Sequence, residues 1–348
     1  MRALVYDAVG AAPEVRQVPE PACPADGVLV AVAATGVCRS DWHAWRGHDP
    51  VVLPHVGGHE LAGTVAAVGP EVRGFAVGDR VTTPFVNGCG RCAVCAAGNP
   101  QVCPDQTQPG FTGPGSFADL VALHAAEVNL VRLPDALGDV PAAALGCRFA
   151  TAYRALTAHA RLGPGQWLAV HGCGGVGLSA VAIGAALGAR VVAVDLSPAA
   201  LGLARELGAE ATVQGRDPVA EVHQVTGGGA HASVDAYGSP GTAAASVRSL
   251  RRRGRHLQVG LLLDPAGTSL PMDAVVSREL ELYGSHGMAA ADYPPMLALV
   301  ASGAVRLDRL VGRVISLDEV PAALAAMDAP SAATAGMTVV DLALASSG

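Results

Sequence analysis

The feature that most constrains the fold is an alternation of strand-like and helix-like segments between about residue 150 and residue 285. QWLAVHG predicts a strand, VGLSAVAIGAALG a helix and RVVAVDL a second strand. The alternation continues through the segments PAALGLARELG, ASVDAYG, GTAAASVRSL and RHLQVGLLL. Strands and helices that alternate in this way form a parallel sheet with helices on both faces. The sequence therefore predicts a doubly wound α/β unit in this part of the chain.

A glycine-rich loop lies between the first strand and the first helix of this alternation. Its sequence is VHGCGGVG, in which Gly172, Gly174 and Gly177 have the spacing GxGxxG. Between a strand and a helix, this spacing is typical of a dinucleotide-binding loop. Gly175 and Val176 then lie at the helix N-terminus, which faces the phosphates.

Asp195 ends the next predicted strand, eighteen residues after Gly177. A carboxylate at this position accepts hydrogen bonds from the adenosine ribose diol and repels a 2′-phosphate. The pattern therefore predicts NAD rather than NADP as the cofactor. The alternative is a glycine-rich turn followed by an aspartate that is merely exposed to solvent.

The segments on either side of the alternation have a different pattern of predicted strands and helices. Before about residue 135 they are short predicted strands separated by Gly and Pro turns: MRALVYDAVG, GVLVAVAATGVC, ELAGTVAAVG and GDRVTTPFV. After about residue 285 helices and strands alternate again, ending in the predicted strand MTVVDLA. A chain of 348 residues is long enough for two domains,. We expect a β-rich first domain, a central α/β domain and a tail that returns to the first domain.

Composition argues against several classes of function. The net charge of −7 gives no general attraction to nucleic acid or to an anionic membrane,. The basic run RRRGR at 251–255 is interpreted as a solvated turn before a strand,. The uncharged stretch 172–189 is interpreted as a buried helix rather than a membrane span,. The N-terminus shows no export signal, so we expect a cytoplasmic protein whose clustered cysteines bind metal.

Four of the eight cysteines lie within fifteen residues. Cys89, Cys92, Cys95 and Cys103 have the spacing C-x2-C-x2-C-x7-C. Four thiolates can enclose a zinc ion tetrahedrally and leave no position open for substrate, so this zinc would be structural. An iron–sulfur cluster uses similar spacings and is the main alternative.

A second set of candidate ligands is spread along the chain. The segments GVCRSDWH, GGHELAGTVAAVG and LGCRFATAYRAL contain Cys38, His59 and Cys147. Two thiolates and one imidazole leave the fourth position of a zinc ion free, as a catalytic zinc requires. Spacing alone does not show that the three residues meet, and each could instead be core filling. Cys23 and Cys173 are interpreted as such bystanders.

Taken together, these motifs resemble those of the zinc-dependent medium-chain alcohol dehydrogenases along nearly the whole chain. The matching features, in order, are GVCRSDWH, GHELAGTVAAVG, the four-cysteine segment, GCRFATAYRAL, and GCGGVG followed by VDL. The resemblance implies a GroES-like β-rich catalytic domain formed by 1–147 and 286–348, with a structural zinc lobe at about 86–105. It also implies a Rossmann NAD-binding domain at 148–285.

The resemblance further implies roles for individual residues. Cys38, His59 and Cys147 would bind a catalytic zinc, with Glu60 as an alternate ligand beside it and Asp41 orienting His59. Ser40 and His43 would conduct the alcohol proton to solvent, and Thr151 would contact the nicotinamide. Trp45 would line the substrate pocket, unless it packs in the domain core. Ala200 and Met337 replace cationic residues of many relatives, which predicts weak NAD binding.

The function implied is the interconversion of an alcohol and an aldehyde or ketone by hydride transfer with NAD(H), using two zinc ions per chain. One alternative is a family member dedicated to a specialised substrate, such as a secondary-metabolite alcohol. Another is a zinc-stabilised NAD-binding protein without turnover. The expected partners are a small-molecule alcohol or carbonyl and further copies of the chain in a homodimer or homotetramer, with no nucleic acid and no membrane.

Overall fold

The computed structural model describes residues 1–263, 266–329 and 335–344. Its strands are β1 Arg2–Tyr6, β2 Glu14–Gln17, β3 Val28–Val37, β4 His55–Val56, β5 Glu60–Val68, β6 Arg80–Thr82, β7 Leu120–Leu123, β8 Val131–Arg132, β9 Trp167–His171, β10 Arg190–Asp195, β11 Ala211–Gln214, β12 Ala230–Asp235, β13 Leu250–Gln258, β14 Glu281–Gly284, β15 Val311–Ile315 and β16 Met337–Asp341. Its helices are α1 Arg39–Trp45, α2 Ala93–Ala96, α3 Ala126–Asn129, α4 Asp139–Ala143, α5 Ala150–Arg154, α6 Gly175–Ala186, α7 Pro198–Glu206, α8 Val219–Thr226, α9 Pro240–Arg248, α10 Met272–Arg278, α11 Tyr293–Ala301 and α12 Val320–Ala326.

The central part of the chain forms a six-stranded parallel sheet. The strand order is β11-β10-β9-β12-β13-β14, which is the order of a Rossmann fold. All five residues of β9 are buried, as expected for a strand with helices on both faces of its sheet. The chain leaves β9 for one half of the sheet and later returns on its other side to form β12. This is the topological switch point, where open α/β sheets bind their ligands.

The first part of the chain forms a mainly antiparallel sheet. Its order is β15-β16-β3-β5-β6-β8, and β7 also pairs with β3. The last strand, β16, is antiparallel to β3, with Thr338 opposite Val37 and Asp341 opposite Ala34. The tail therefore returns to the first sheet, as the sequence predicts. Pairing with β16 fixes the C-terminal end of β3, where the first metal-site candidate follows.

Residues from both sheets share the largest buried cluster. It includes Ala34 of β3, Phe149, Leu168 of β9, Leu178 of α6 and Val339 of β16. Continuous burial of these apolar side chains supplies most of the driving force that holds the two sheets at a fixed relation. The ends of β3, β5 and β9 are thereby brought to one region of the molecule.

The basic run 251–255 differs from its sequence interpretation. These residues lie inside β13, which begins at Leu250, and do not form a turn before it. The pairing of β12 with β13 shifts from Ala230–Leu250 to Ala232–Arg255, so β13 carries surplus residues at this point. The surplus forms a bulge in which Arg253 has a φ of +59°. The arginines before Gly254 are therefore exposed on a bulged strand,.

The uncharged stretch 172–189 forms the loop after β9 and the helix α6, as predicted. Residues Gly177–Gly184 of this helix are buried. Among the described parts of the chain, we find no helix with the length and apolar character needed to cross a membrane.

Candidate active site

The glycine loop follows β9 at the switch point of the parallel sheet. Gly172 has a φ of +91°, a conformation that side-chain-bearing residues rarely adopt,. A Cβ on Gly177 would lie 1.8 Å from the carbonyl oxygen of Gly172, so the loop can close onto the helix only with glycine there. A Cβ on Gly174 would meet nothing within 4 Å. The backbone at Gly174 is therefore open to an approaching ligand, as a dinucleotide phosphate requires.

Asp195 ends β10 beside this loop. Its Oδ2 accepts a hydrogen bond of 2.6 Å from the backbone N–H of Cys173, and its Oδ1 accepts one of 2.8 Å from the N–H of Ser197. The two bonds hold the carboxylate at the edge of the glycine loop, and Asp195 remains half-buried. Each carboxylate oxygen keeps acceptor capacity for a further donor such as a ribose hydroxyl.

The three distant sequence segments with candidate metal ligands meet at one buried site. One ligand atom from each of Cys38, His59, Glu60 and Cys147 lies within 4.8 Å of the others. Cys38 follows β3, His59 and Glu60 lie at the start of β5, and Cys147 lies in a π-type turn that precedes α5. The first two segments are neighbours because β3 and β5 are paired strands, with Gly36 opposite Glu60.

Asp41 orients two of these residues at once. Its Oδ2 accepts a bond of 2.8 Å from the backbone N–H of Cys38, and its Oδ1 lies 2.9 Å from Nδ1 of His59. Oδ1 also accepts a bond of 3.1 Å from the N–H of Gly58. Asp41 and His59 are both buried. The aspartate therefore fixes the His59 ring with Nδ1 as the donor and Nε2 as the free ligand atom.

Nε2 of His59 is the observation that tests whether a metal fits this site. It is buried and has no hydrogen-bond partner in the part of the chain that the structure describes. A buried imidazole nitrogen without a partner is costly unless something else satisfies it. Nearby lie two thiol sulfurs and a carboxylate, and thiolate and imidazole are the ligands that zinc prefers. The residues fit a zinc ion.

Electrostatics at the cluster indicate the same chemistry. The hydrogen bond with Cys147 holds the pKa of the Cys38 thiol well below its usual value, against the effect of burial. The same bond, together with burial, raises the pKa of Cys147 well above its usual value. Burial lowers the pKa of His59, but Asp41 and Cys38 outweigh burial and raise it. A divalent cation would allow both thiols to ionise together.

Glu60 forms a buried ion pair with Arg148. Its Oε1 accepts bonds of 3.0 Å from both the backbone N–H and Nε of Arg148, and its Oε2 accepts from Nη2. Neither side chain is more than 8% exposed. Burial raises the pKa of Glu60, and Arg148 opposes that shift. A Cβ on Gly36 would lie 2.1 Å from Oε2 of Glu60, so the glycine leaves room for the pair.

The remaining sequence candidates lie around this cluster. Ser40 lies in the first turn of α1, with Oγ 3.8 Å from Sγ of Cys38. His43 is one turn later on the same helix, and its Nδ1 lies 2.9 Å from Nδ1 of His48 near the surface. Burial and Arg39 lower the pKa of His43. Thr151 is buried in α5, one turn after Cys147.

Trp45 is buried in the core of the β-rich part. It is 4% exposed and packs in a cluster with Leu4, Tyr6 and Leu61. Its Nε1 donates to the carbonyl oxygen of Ala11 at 2.6 Å. These contacts are those expected of the core-packing alternative, and the role of Trp45 in a substrate pocket stays a prediction. Ala200 and Met337 are also buried in the core.

The four clustered cysteines form a separate lobe between β6 and β7. Their sulfurs all lie within 4.8 Å of one another, and Sγ of Cys92 is 3.7 Å from Sγ of Cys103. The backbone N–H groups of Cys89 and Cys95 point at neighbouring sulfurs at 3.4 Å. The N–H of Arg91 lowers the pKa of Cys89 to about 6, whereas burial raises that of Cys95 to about 12. Four thiolates this close need a cation, so the lobe also fits a metal ion.

Three residues near the cluster of Cys38, His59, Glu60 and Cys147 are not marked by any sequence motif. Arg148 follows Cys147 directly in the chain. The rings of Phe85 and Phe111 lie with their centres 6.1 and 5.1 Å from that of His59. Neither phenylalanine stands in a motif, and only the fold brings them to the ligand histidine. No signal in the sequence marks Arg148, because its burial and its partner Glu60 are set by the fold.

Comparison with known proteins agrees with this architecture. Residues 24–135 match the family described as alcohol dehydrogenase GroES-like domain, and residues 175–302 match the family described as zinc-binding dehydrogenase. An alcohol dehydrogenase of Geobacillus stearothermophilus is 35% identical over 310 residues, which cover 88% of this chain and 90% of that enzyme.

Solved structures show the same relationship. The alcohol dehydrogenase TADH from Thermus sp. ATN1 superposes with a TM-score of 0.90 at 30% identity, covering 98% of this chain and 99% of that one. A structure described as an NAD-dependent alcohol dehydrogenase superposes with a TM-score of 0.87 at 30% identity, covering 98% and 100%.

The chain therefore belongs to the zinc-binding alcohol dehydrogenase family. It is an enzyme, an oxidoreductase that interconverts alcohols and carbonyl compounds. The predicted fold class, a GroES-like β-rich domain combined with a Rossmann doubly wound parallel sheet, is confirmed, and so is the resemblance drawn from the motifs.

The space that Gly36 leaves for the ion pair generates one prediction. Gly36→Ala places a methyl group against Glu60 and Arg148, so we expect a loss of about 1–3 kcal/mol in the free energy of unfolding. Urea denaturation measures it. The matched control is Gly202→Ala. Gly202 lies in α7, and a Cβ there would meet nothing within 4 Å. The control should be neutral or slightly stabilising, and equal losses in both variants would contradict the packing described.

The two cysteine clusters generate a second prediction. The wild-type enzyme should contain about two zinc ions per chain. Cys95→Ser should remove one zinc and lower the melting temperature, whereas Cys147→Ser should remove the other zinc while the lobe keeps its own. Inductively coupled plasma mass spectrometry counts the metal, with Cys23→Ser as the control. Iron with visible absorption would mean that the lobe holds an iron–sulfur cluster.

Proposed function

We propose that the enzyme oxidises an alcohol to an aldehyde or ketone with NAD, and catalyses the reverse reduction with NADH. The single observation that carries the proposal is Nε2 of buried His59, which has no hydrogen-bond partner among the described residues and belongs to a cluster with the thiols of Cys38 and Cys147. The catalytic zinc is held by Cys38, His59 and Cys147. When bound, zinc would supply Lewis-acid chemistry at the substrate oxygen, and NAD would supply the hydride acceptor.

The protein's own residues transfer the alcohol proton to solvent. Ser40 holds it at Oγ, beside the ligand Cys38. His43 has a lowered pKa, so its ring is neutral at pH 7 and can accept a proton and release it to solvent,. Its contact with His48 gives the proton a second acceptor at the surface. Glu60 is the alternate metal ligand, since it lies within reach of the cluster but is held by Arg148.

The dinucleotide is held by the loop after β9. Gly172, Gly174, Gly175, Val176 and Gly177 bind the phosphates through backbone N–H groups at the N-terminus of α6. Asp195 accepts hydrogen bonds from the adenosine ribose. Thr151 contacts the nicotinamide.

A structural zinc is held by Cys89, Cys92, Cys95 and Cys103. The lobe has its base closed by two backbone hydrogen bonds of 2.8 Å between Asn87 and Thr107. It has no free ligand position when four thiolates surround one ion, so it takes no part in the reaction.

The substrate is an apolar alcohol or carbonyl compound. Phe85 and Phe111 flank His59, and His286 packs against Phe85 with ring centres 5.1 Å apart. Aromatic side chains near the ligand histidine favour a hydrophobic substituent over a polyhydroxylated one, because its hydroxyl groups would lose water without new partners.

The proposed domain boundaries are those expected from the sequence. The catalytic domain comprises 1–147 and 286–348, and the cofactor domain comprises 148–285. The cofactor sheet ends at the edge strand β14, whose unpaired side can add a second copy of the chain and form a homodimer or homotetramer,. All eight cysteines are free, which suits the reducing cytoplasm,.

The experiment follows NADH absorbance with a panel of primary, secondary, aromatic and polyol substrates, first with NAD and then with NADP. We expect turnover of an apolar alcohol with NAD. Asp195→Ala should lower the preference for NAD over NADP by about tenfold or more, because the carboxylate that repels a 2′-phosphate is gone. Asp217→Ala, which removes an exposed acid elsewhere in this domain, is the control.

Two outcomes would contradict the proposal. A zinc-loaded enzyme that turns over none of the panel would argue against alcohol oxidation. Equal kcat/KM with NAD and NADP in the wild type would remove Asp195 as the selector.

A further inference from the structure

We propose that Arg148 binds a phosphate of the dinucleotide with the guanidinium nitrogen that Glu60 leaves free. The inference deepens the proposed function and rests on it. Arg148 would thus connect the metal site to the cofactor site. One edge of its guanidinium group would bind Glu60 and the other would bind the phosphate.

The first step is the hydrogen bonding of the guanidinium group. Nε donates to Oε1 of Glu60 at 3.0 Å, and Nη2 donates to Oε2. Nη1 has no acceptor among the residues that the structure describes. The Arg148 side chain is only 8% exposed. The N–H donors of Nη1 are therefore available to a further acceptor.

The second step is where Nη1 lies. A Cβ built on Gly175 would be 3.2 Å from Nη1 and 2.4 Å from Cδ of Arg148. The arginine therefore runs across the backbone of Gly175, the first residue of α6. This helix is twelve residues long, and its N-terminus is the place where the proposed function puts the phosphates,. The free donor edge therefore lies beside the expected phosphate position.

The third step concerns preorganisation. Glu60 holds two of the three guanidinium nitrogens, so the plane of the group is fixed before any ligand arrives. A planar guanidinium fixed in this way loses little freedom when its remaining edge meets an oxyanion. The bond to phosphate would be charge-assisted and correspondingly strong. Glycine at position 175 is explained at the same time, since any side chain there would displace Arg148.

The competing explanation is that Arg148 serves only to neutralise buried Glu60. Arg148→Lys separates the two. Lysine keeps a positive charge for Glu60, but its compact ammonium group cannot also present the second donor edge. A second variant, Glu60→Gln with Arg148→Gln, removes both charges together and leaves no unpaired ion in the core.

Isothermal titration calorimetry with ADP-ribose tests the proposal on the zinc-loaded enzyme. ADP-ribose carries the two phosphates but lacks the nicotinamide, so its affinity reports on the phosphate site and not on the metal. We expect Arg148→Lys and the double variant each to bind ADP-ribose about tenfold or more weakly than the wild type. Adenosine, which has no phosphate, should bind all three proteins equally in ligand-observed NMR. The zinc content of each protein is measured alongside, and affinities are compared only between zinc-loaded proteins.

The outcomes are distinguishable. ADP-ribose affinity equal to that of the wild type in either folded, zinc-loaded variant would overturn the proposal and leave Arg148 a charge-neutralising residue. Equal losses for adenosine and ADP-ribose would also overturn it, since the effect would not depend on phosphate. A wild-type enzyme that binds no ADP-ribose would instead overturn the dinucleotide site of the proposed function itself.

Discussion

The buried ion pair between Glu60 and Arg148 is the interaction on which the active site depends. Each partner is the immediate neighbour of a proposed zinc ligand: Glu60 follows His59, and Arg148 follows Cys147. A carboxylate with no exposed surface is strongly disfavoured unless a cation meets it with good geometry,. The pair therefore fixes the start of β5 against the turn before α5. His59 and Cys147, which are 88 residues apart in sequence, are brought together as a consequence.

Asp41 positions Cys38, the third proposed zinc ligand, in the same way. One carboxylate receives the N–H of Cys38, the N–H of Gly58 and the His59 ring. The N-terminal turn of α1 and the loop before β5 are thereby held in one geometry. The two buried acids, Asp41 and Glu60, thus position all three ligands without having to bind metal themselves. Among the described residues, no comparable buried ion pair supports the lobe with four cysteines. This agrees with a metal ion that would itself hold the lobe in shape.

Much of this molecule is predictable from local sequence. The alternation after residue 150 predicts the parallel sheet because each strand and helix carries its own periodicity. GxGxxG predicts the loop because only glycine tolerates the φ of Gly172 and the close approach at Gly177,. The ligand residues stand out because cysteine and histidine are chemically distinctive. What local sequence does not give is distance, so the meeting of Cys38, His59 and Cys147 came from resemblance and not from spacing.

The errors and omissions have the same origin. The arginines at 251–253 are solvated, but the turn predicted for them is a bulge, because the pairing of β13 with its neighbour decides that geometry. Trp45 lies in a motif segment, and only the fold shows that it packs in the core with Leu4 and Tyr6. Phe85 and Phe111 belong to no motif, and Arg148 acquires its importance only when Glu60 and Gly175 are seen beside it. In each case tertiary contacts outweigh the local pattern.

The central claim is that two chemically different zinc sites coexist, one closed by four thiolates and one open with two thiolates and an imidazole. X-ray absorption at the zinc edge of the holoenzyme tests it most directly, because the fine structure reports the average ligands of both ions. The account predicts an average of about three sulfurs and one nitrogen or oxygen per zinc. An average of about four sulfurs, with no imidazole contribution, would contradict the assignment of Cys38, His59 and Cys147 as the site of catalysis.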